Sequence, residues 1–362
     1  MPTAITQIAG RQVAAEKIPS WREIEEIWYP KHLSLEQCSS EITARYKARL
    51  LQGDSLTDLT GGFGIDCSFL ATGFKSATYV ERQEELCEIA AHNFLILNLN
   101  HINVRNEDGV AYLQSMSPVD CIFLDPARRN EHGGKTVAIS DCEPNVAELE
   151  ALLLSKANRV MIKLSPMLDL SLALKELKHT QEVHILSVNN ECKELLILLG
   201  QTSPAEIAIH CVNLLTKGTQ EEQHLVFTRE QEQRSQCTYT DSLGDYLYEP
   251  NASLLKAGAF RSIAAAYPVR KLHPNSHLYT SDSFIENFPG RIFRIVNQCS
   301  FNKKEVKENL ADLKKANVTV RNFPATVAEL RKRLHLTEGG DTYLFASTLN
   351  NGQKVIIRCE KV

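Results

Sequence analysis

The sequence predicts an α/β fold in which helices cover both faces of a mostly parallel sheet. Downstream of Ser55, short apolar segments alternate with helical ones, which is the pattern of successive βαβ units. The segment VDCIFLDP is apolar on both faces, as a central strand of a parallel sheet is. A glycine-rich turn separates the first strand from the first helix. Because crossovers between parallel strands are right-handed, these elements build a doubly wound, Rossmann-like sandwich.

The composition is that of a globular protein. The chain has 362 residues, of which 43% are hydrophobic and 23% charged, and its net charge is −4. A chain of this length usually forms two or three domains, and this charge argues against a polycation that coats nucleic acid. The ten cysteines show neither C-x-x-C pairs nor zinc-finger spacing, so we expect free thiols and no metal site.

The sequence shows no pattern of a targeting or membrane segment. MPTAITQIAGRQ lacks the basic and apolar regions of a signal peptide. No apolar run reaches the ~20 residues that span a bilayer. We therefore expect a cytoplasmic protein.

The order of the predicted elements defines four regions. They are a helical N-terminal segment (1–52), a core (53–200), a β-rich connecting domain (201–287) and a basic α+β domain (288–362). The first region is interrupted by prolines and predicts two or three short helices, and its segment from Ser34 to Leu51 begins with a capping box, Ser34-x-x-Gln37. Residues from Gln231 to Ser283 are polar and rich in turns. The core strands are SLTDLT, SATYVER, INVRNED, VDCIFLDP, NRVMIKLS, EVHILSVN and ECKELLILLG, the last of them antiparallel.

The strongest chemical signal is the turn after the first strand, Asp58-Leu-Thr-Gly61-Gly62-Phe-Gly64-Ile-Asp66. Its glycines allow a close approach to a ligand, and the following helix presents free N–H groups. A G-x-G-x-x-G dinucleotide motif would need glycine where the chain has Cys67. The first carboxylate would also repel a pyrophosphate and attract an ammonium group. The turn therefore favours S-adenosylmethionine (SAM) over NAD, and the alternative is a structural turn without a ligand. The residues predicted to contact the cofactor here are Asp58, Thr60, Gly61, Gly62, Gly64 and Asp66.

Acidic residues end the second and third strands. Glu81 follows Asp58 by about the ~20 residues typical of an acid that accepts hydrogen bonds from ribose hydroxyls. Its neighbour Arg82 is included in the predicted cofactor site. Asp108 is placed to accept a hydrogen bond from an adenine amino group, with Glu107 as a rival. In each case the alternative is a solvated acid at the end of a strand.

The loop after the fourth strand reads Asp125-Pro126-Ala127-Arg128-Arg129. Ligands of open α/β sheets bind at the carboxyl ends of strands, so this loop faces the predicted reaction centre. Asp125, Pro126 and Arg128 are the predicted catalytic residues, and Arg129 could hold a substrate phosphate. Lys163, at the end of the fifth strand, could also contact the substrate. A charged surface turn and a surface lysine are the alternatives.

These four elements, in this order and spacing, resemble the class I SAM-dependent methyltransferases over residues 55–200. The resemblance implies a seven-stranded, mostly parallel sheet with SAM as the cofactor. It also implies that the acid of the first loop approaches the methionine ammonium. By the same resemblance, the acid after strand two holds the ribose and the acid after strand three meets adenine.

The loop after strand four resembles two known motifs and departs from both. In the D-P-P-aromatic motif of amino-methylating nucleic-acid enzymes, the aspartate and the prolyl carbonyls accept hydrogen bonds from the exocyclic amine of a base. Here Ala127 replaces the second proline and Arg128 replaces the aromatic residue, which argues against amine methylation. The D-P-P-R loop of uridine C5-methyltransferases is also similar. Those enzymes need a cysteine on a later strand, and the chain has no clear counterpart.

Over its whole length, the chain is similar to a bacterial family of predicted RNA methyltransferases with a THUMP-like C-terminal domain. CSSEITARYKA from Cys38, YEPNASLLKAGAF from Tyr248 and the tail carry the likeness. The resemblance implies an RNA methyltransferase. By analogy with the pre-core segment of cap-guanine methyltransferases, Ser39 to Ala44 would close over the carboxylate of the cofactor. The alternative for this segment is a solvated helix face.

Basic residues concentrate towards the C-terminus. Between Arg291 and His335 there are eleven Lys and Arg against four Asp and Glu, although the whole chain is acidic. Such asymmetry is typical of a nucleic-acid-binding module on an acidic enzyme, and its binding weakens as salt rises. The alternative is a pair of solvated helices with i,i+4 ion pairs. The residues predicted to contact RNA are Lys314, Lys315, Arg331 and Arg333.

Together these observations predict an enzyme that transfers a methyl group from SAM to a base in structured tRNA or rRNA. The reaction would be an in-line displacement in which Asp125 orients the nucleophile, and the base would be unpaired or flipped. Two alternatives stay open. One is a methyltransferase that acts on protein or on a small molecule, and the other is a non-catalytic RNA-binding protein that retains the fold.

Overall fold

The structure is a computed structural model that describes residues 4–128, 138–218 and 221–362. The chain divides into two compact units. Unit 1 consists of residues 1–188 and 193–208, and unit 2 consists of residues 189–192 and 209–362.

Unit 1 begins with helices and continues as alternating strands and helices. Its helices are α1 (Ala4–Lys17), α2 (Pro19–Arg22), α3 (His32–Gln37), α4 (Glu41–Ala48), α5 (Ile65–Ala71), α6 (Glu84–Ile96), α7 (Gly109–Ser115), α8 (Val146–Lys156) and α9 (Leu170–Glu176). Its strands are β1 (Ser55–Asp58), β2 (Ser76–Glu81), β3 (Ile102–Asn106), β4 (Val119–Leu124), β5 (Ala127–Arg128), β6 (Cys142–Glu143), β7 (Ala157–Leu164), β8 (Thr180–Val188) and β9 (Glu191–Gly200).

Seven strands of unit 1 lie in one sheet in the order β8-β9-β7-β4-β1-β2-β3. The five strands from β7 to β3 run parallel, and β9 is antiparallel to β7. The central strand β4 is apolar because both of its faces are covered, and Ile122, Phe123 and Leu124 are buried. The short strands β5 and β6 pair with each other. The predicted α/β fold with a mostly parallel sheet is confirmed.

The N-terminal helices pack on the loop and helix that follow β1. Ile18, Trp21 and Tyr29 are buried in one cluster with Phe63 and Ile65. The ring of Trp21 meets that of Phe63 edge to face, with centroids 5.4 Å apart. This apolar contact holds the N-terminal segment against the glycine loop.

The segment from Ser34 to Leu51 forms two short helices, because the structure breaks it between α3 and α4. The flanking residues of the break are extended, and Ser34 lies inside α3 rather than at its cap. Within the break, the Ser39 hydroxyl donates a hydrogen bond of 2.7 Å to the Asp66 carboxylate. We attribute the break to this tertiary contact, which outweighs the local preference for helix.

Unit 2 is an α+β structure. Its helices are α10 (Arg229–Arg234), α11 (Ala252–Ala257), α12 (Phe260–Ala266), α13 (Lys303–Leu310) and α14 (Val327–Leu334). Its strands are β10 (Ala208–Leu214), β11 (Glu222–Phe227), β12 (Tyr246–Pro250), β13 (Arg270–Lys271), β14 (Tyr279–Ser281), β15 (Gly290–Ser300), β16 (Asn317–Val320), β17 (Thr342–Thr348) and β18 (Lys354–Lys361).

A second sheet organises most of unit 2, with strand order β13-β14-β12-β15-β18-β17-β16. Only the β16–β17 pair among these neighbours is parallel. The prediction of polar turns from Gln231 to Ser283 is wrong, because this segment contains α11, α12 and three strands of the sheet. Its Leu247, Tyr248 and Tyr279 are completely buried, which drives that folding. The sheet also crosses the domain boundary predicted after residue 287.

The structure bears on the predictions of free thiols and of no membrane-spanning segment. All ten cysteines are described and all are free, which confirms the expected thiols. Most of them are buried, where cysteine behaves as a small apolar residue. Within the described ranges, no helix has the length and apolar character needed to cross a membrane.

Candidate functional site

The predicted acids of three strands meet at one edge of the sheet in unit 1. β1 pairs in parallel with β2 on one side and with β4 on the other, and parallel strands end at the same edge. Asp58 ends β1, Glu81 ends β2 and Asp125 follows β4. Lys163 lies near the end of β7, the parallel neighbour of β4. We call these four residues and the glycine loop after β1 the carboxyl edge.

The glycine loop between β1 and α5 is close-packed on one side and open on the other. Gly62 and Gly64 have φ values of 54° and 87°, which glycine adopts without strain. A Cβ on Gly61 would lie 2.2 Å from a ring carbon of Tyr79, whose hydroxyl donates to the Gly62 carbonyl at 2.5 Å. A Cβ on Gly62 would meet nothing closer than the Thr60 carbonyl oxygen at 3.8 Å. The backbone at Gly62 therefore leaves space for a ligand.

Asp58 is a buried acid with one unpartnered oxygen. Its Oδ1 accepts a hydrogen bond of 3.0 Å from the Thr60 N–H, whereas Oδ2 has no hydrogen-bond partner among the residues that the structure describes. Burial raises the pKa of this carboxyl group to about 8; the Thr60 hydrogen bond opposes the rise, and the charges of Asp66, Asp125 and Glu81 add to it. A cationic group beside Oδ2 would lower that pKa and supply the missing partner.

Glu81 holds its carboxylate against the glycine loop. Its two oxygens accept N–H bonds of 2.9 Å, one from Gly62 and one from Gln83. A carboxylate offers about four acceptor positions, so each oxygen can accept a further hydrogen bond. This arrangement suits the neighbouring hydroxyls of a ribose. The next residue, Arg82, has an exposed side chain, and its carbonyl accepts a hydrogen bond from Asn106.

Asp108 caps the helix that follows β3. Its Oδ1 accepts the N–H groups of Val110 and Ala111, each at 3.0 Å. The cap leaves Oδ2 for an adenine amino group, so the predicted contact is compatible with the cap and stays a prediction. The rival acid, Glu107, donates its backbone N–H to the Glu81 carbonyl at 3.1 Å.

Lys163 is an enclosed cation rather than a surface lysine. Its ammonium group lies 2.5 Å from Asp125 Oδ2, 3.0 Å from Ser39 Oγ and 3.4 Å from Asp66 Oδ2. Its side chain is 11% exposed, whereas that of Asp125 is 36% exposed. Burial acts to lower the pKa of Lys163, but the carboxylates of Asp125, Asp66 and Glu194 outweigh burial and raise it. The site therefore contains a protonated lysine beside a carboxylate that solvent reaches.

A second lysine, Lys47 on α4, is completely buried in unit 1. It pairs with Asp66 Oδ1 at 2.9 Å and with Glu194 Oε2 at 2.6 Å, and it donates to Ser39 Oγ at 2.8 Å. Burial alone would raise the pKa of Asp66, but Lys47 and Lys163 outweigh it and lower that pKa to about 2. The sequence predicts Asp66 as a cofactor contact, whereas the structure places its carboxylate between two lysines.

Sequence reasoning missed Lys47 and Glu194. The buried residues Glu41, Ala44 and Lys47 recur every three positions on α4, which places them on neighbouring parts of one helix face. A lysine on such a face indicates a buried charge. Glu194 precedes the apolar run of β9 and is the acid that meets this charge.

The remaining predicted residues of the fourth loop are only partly described. Pro126 is buried, and the backbone of Arg128 pairs with that of Cys142 in the β5–β6 ladder. Arg129 lies outside the described residues. The catalytic roles predicted for Pro126 and Arg128 stay predictions.

The predicted RNA contacts lie in unit 2. Lys314 and Lys315 are exposed. Arg331 pairs with Glu338 at 3.1 Å, and the guanidinium of Arg333 lies 4.0 Å from the centroid of a phenylalanine ring. Both arginines thus have partners within unit 2, and RNA contact by all four residues stays a prediction.

Comparison with solved structures finds a relative that matches nearly the whole chain. It is described as a "putative methyltransferase" from Porphyromonas gingivalis W83, with 37% sequence identity, a TM-score of 0.89, and coverage of 99% of this chain and 89% of that one. An rRNA methylase from Streptococcus thermophilus covers 44% of this chain and 93% of its own, at 14% identity and a TM-score of 0.32. This second likeness is too remote to carry an argument.

Family models match the C-terminal part of the chain. Residues 246–289 match a ferredoxin-like domain, and residues 290–361 match a domain described as THUMP domain-like. No curated protein sequence matches the chain.

The sheet of unit 1 and the acids at its carboxyl edge define a class I methyltransferase fold. Its seven-stranded, mostly parallel sheet is the one implied by the sequence resemblance. The protein belongs to the family of the Porphyromonas gingivalis protein. In this chain the methyltransferase core is followed by the ferredoxin-like and THUMP-like domains.

Proposed function

We propose that the protein is a SAM-dependent methyltransferase that acts on tRNA or rRNA. The observation that carries the proposal is Oδ2 of buried Asp58, which has no hydrogen-bond partner among the described residues. The backbone at Gly62, in the loop that follows Asp58, leaves space for a ligand. A ligand with an ammonium group would supply the missing hydrogen-bond partner of Asp58 Oδ2. Membership of a methyltransferase family and the THUMP-like domain support the reaction class and the substrate.

The residues of the carboxyl edge, together with Asp108, fit SAM. Asp58 would accept a hydrogen bond from the methionine ammonium and become ionised in doing so. Glu81 would accept hydrogen bonds from the ribose hydroxyls, and Asp108 Oδ2 would accept one from the adenine amine. When bound, SAM supplies a methyl group that its positively charged sulfur makes electrophilic. NAD fits less well because its pyrophosphate would approach these carboxylates.

Asp125 would position the methyl acceptor. Its backbone N–H donates to the Thr60 hydroxyl at 2.6 Å, and its Oδ2 is held by Lys163. These contacts fix the carboxylate and leave Oδ1 for the substrate. Holding the acceptor next to the methyl donor in the correct orientation raises the rate of methyl transfer. This is the main contribution expected of this enzyme.

RNA is the proposed substrate because of the C-terminal part of the chain. The THUMP-like match covers residues 290–361, which include the basic stretch that ends at His335. Lys314 and Lys315 are exposed there and suit contacts with phosphates. The sequence predicts a base as the acceptor, and that group would have to be unpaired or flipped to reach a pocket.

Calorimetric titration of SAM into the full chain tests the cofactor. We expect binding in the micromolar range that is lost in Asp58→Ala and in Glu81→Ala. The matched control is Asp54→Ala, which removes an exposed acid just before β1, at the opposite end of that strand. The control should bind SAM normally, and NAD should not compete. Failure of the unchanged protein to bind SAM would refute the proposal.

Methyl transfer to RNA tests the substrate. The full chain is incubated with SAM that carries a labelled methyl group, together with unmodified transcripts of bacterial tRNAs and rRNAs. Label in RNA supports the proposal. Label that enters only protein or small molecules of a cell extract would favour the alternative substrates. Binding of SAM and RNA without transfer would favour a non-catalytic RNA-binding protein.

A further inference from the structure

Two lysines and their polar partners form a connected network in unit 1. We call it the lysine cluster: Ser39, Lys47, Asp66, Asp125, Lys163 and Glu194. Its contacts span 2.5 to 3.4 Å. Asp66 joins the two ammonium groups, and Ser39 Oγ accepts a hydrogen bond from each of them. The proposed function uses Asp125 to position the acceptor and Lys163 only to hold Asp125.

Exposure increases along the lysine cluster towards the carboxyl edge. Lys47 is sealed from solvent, Lys163 is slightly exposed and Asp125 is reached by solvent. Lys47 therefore acts as a buried counter-charge to Asp66 and Glu194. Lys163 and Asp125 form the end of the network that a substrate can touch. The longest contact of Lys163, 3.4 Å to Asp66, is the one that an incoming acceptor atom can replace.

An ammonium group beside the acceptor favours oxygen over nitrogen. A hydroxyl oxygen gains negative charge as its proton leaves, and a nearby cation stabilises that charge. An amine nitrogen becomes positive as it takes up a methyl group, and the same cation repels it.

The cysteines near the cluster do not favour carbon as the acceptor. Methylation at a pyrimidine carbon by a covalent route needs a thiolate nucleophile. Burial raises the pKa of Cys38 to about 11 and that of Cys67 well above its ordinary value, and the charge of Asp66 adds to both. Both are therefore protonated thiols at neutral pH.

We propose that the methyl acceptor is a hydroxyl oxygen, the 2′-hydroxyl of an RNA ribose, and that Asp125 and Lys163 are catalytic residues. The choice of oxygen rests on the lysine cluster, whereas the choice of ribose rests on the proposed RNA substrate. The proposal replaces the base predicted from the sequence as the methylated group.

In the proposed step, the ribose hydroxyl donates a hydrogen bond to Asp125 Oδ1 and accepts one from the Lys163 ammonium. Its oxygen forms the new C–O bond with the methyl carbon, while the C–S bond of the donor breaks and its electron pair remains on sulfur. The hydroxyl proton passes to Asp125 Oδ1 and from there to solvent. Lys163 keeps its proton and stabilises the charge that develops on oxygen.

Alkaline cleavage of the labelled RNA tests the acceptor, because alkali cleaves RNA only where the 2′-hydroxyl is free. The full chain is incubated with labelled SAM and the unmodified tRNA and rRNA transcripts. We expect the label in alkali-resistant dinucleotides. Label in mononucleotides would overturn the hydroxyl acceptor and leave the proposed RNA methyltransferase intact. No label in RNA, from protein that binds SAM, would overturn both.

Substitution of Lys163 tests its role. Lys163→Met should lower methyl transfer by about 100-fold or more, as removal of a group that stabilises transition-state charge does. SAM binding should persist, which also shows that the variant folds. The matched control, Lys75→Met, removes an exposed lysine just before β2 and should transfer normally. If Lys163→Met binds SAM and transfers methyl groups at the unchanged rate, the proposal is wrong.

A binding measurement without SAM provides a readout independent of turnover. Once the methylated nucleotide is mapped, an RNA with a single 2′-deoxy substitution at that nucleotide is compared with the unsubstituted RNA. We expect the substitution to weaken binding by about tenfold to 150-fold, the effect of one hydrogen bond to a charged group. The double variant Asp125→Asn, Lys163→Met should bind the two RNAs equally. Equal affinities for the unchanged protein would contradict the contact.

Discussion

Replacement of Asp58 by asparagine tests the electrostatics of the carboxyl edge. Burial raises the pKa of Asp58 from 3.8 to about 8 in the folded protein. At about 1.4 kcal/mol per pH unit, ionising this acid inside the fold costs roughly 6 kcal/mol more than in the unfolded chain. Between these two pKa values the folded protein retains a proton that the unfolded chain has released. Stability therefore falls as pH rises, and the whole cost is reached above about pH 8.

Asp58→Asn should remove this pH dependence. The amide oxygen can still accept the Thr60 N–H, and the amide cannot ionise. We expect the variant to match the parent in stability at about pH 4, to exceed it by roughly 4 kcal/mol at about pH 7, and to exceed it further at about pH 9. The same substitution should abolish SAM binding, because it removes the carboxylate proposed to pair with the methionine ammonium.

Urea unfolding of the parent and of Asp58→Asn, followed at about pH 4, 7 and 9, measures the effect. The informative quantity is the difference between the two proteins at each pH, since the titration of all other groups cancels. Asp54→Asn, at an exposed acid, is the control and should show no such trend. A difference that stays constant with pH would refute the idea that Asp58 is protonated in the free protein.

Three further substitutions test other parts of the structure. Lys47→Met should lower the free energy of unfolding by about 3–5 kcal/mol, measured by urea unfolding, because it leaves the buried Glu194 carboxylate without its paired lysine and removes one of the two lysines that pair with Asp66. Gly61→Ala should cost about 1–3 kcal/mol in the same assay and weaken SAM binding, because a Cβ would lie 2.2 Å from the Tyr79 ring. Replacing Lys314 and Lys315 by glutamine should weaken RNA binding equally for all sequences. In anisotropy titrations at graded salt, the log–log slope of affinity against salt should fall by about one for each phosphate that the variant no longer neutralises.

Each of these substitutions has an outcome that contradicts its prediction. Unchanged stability of Lys47→Met would mean that its partners are neutral in the fold. Gly61→Ala with normal stability would mean that the loop can move away from Tyr79. An unchanged salt slope after both lysine substitutions would place the RNA surface elsewhere on the chain.

The strands and acids of unit 1 can be predicted from the sequence because each depends on local patterns. β1, β2 and β4 are short apolar runs, and the polar residue that follows or ends each run lies at the carboxyl edge once the strands pair in parallel. Asp58, Glu81 and Asp125 follow directly from this rule. The same rule predicts the position of Lys163 but not its partners.

The lysine cluster cannot be predicted in this way because its contacts join distant parts of the chain. Lys47 and Glu194 are 147 positions apart and come from a helix and a strand with no shared local pattern. The break at Ser39 also depends on a contact between distant parts of the chain. Ser39 lies between α3 and α4, and its hydroxyl donates a hydrogen bond to Asp66, which follows the glycine loop. In unit 2, Tyr248 lies in a segment whose sequence is polar, so its burial could not be predicted. Its ring is buried, and its hydroxyl donates a hydrogen bond to the Ser283 carbonyl at 2.9 Å.

Asp58 and Asp66 show how two acids of one turn acquire opposite properties. Both are buried, but Asp66 lies between two lysines with a pKa of about 2, whereas Asp58 faces no cation within the described part of the chain and has a pKa of about 8. A buried acid without a cation is costly unless a ligand supplies one. The unpaired acid is therefore complementary to a cationic cofactor, and the paired one is part of the framework. Lys163 and Asp125 differ from both acids, because they are paired with each other and are also reached by solvent. Lys163 can therefore exchange its contact with Asp66 for a contact with a substrate hydroxyl group. Among the described residues, the buried Asp58 and Asp66 have no such contact to exchange with a solvent-exposed substrate.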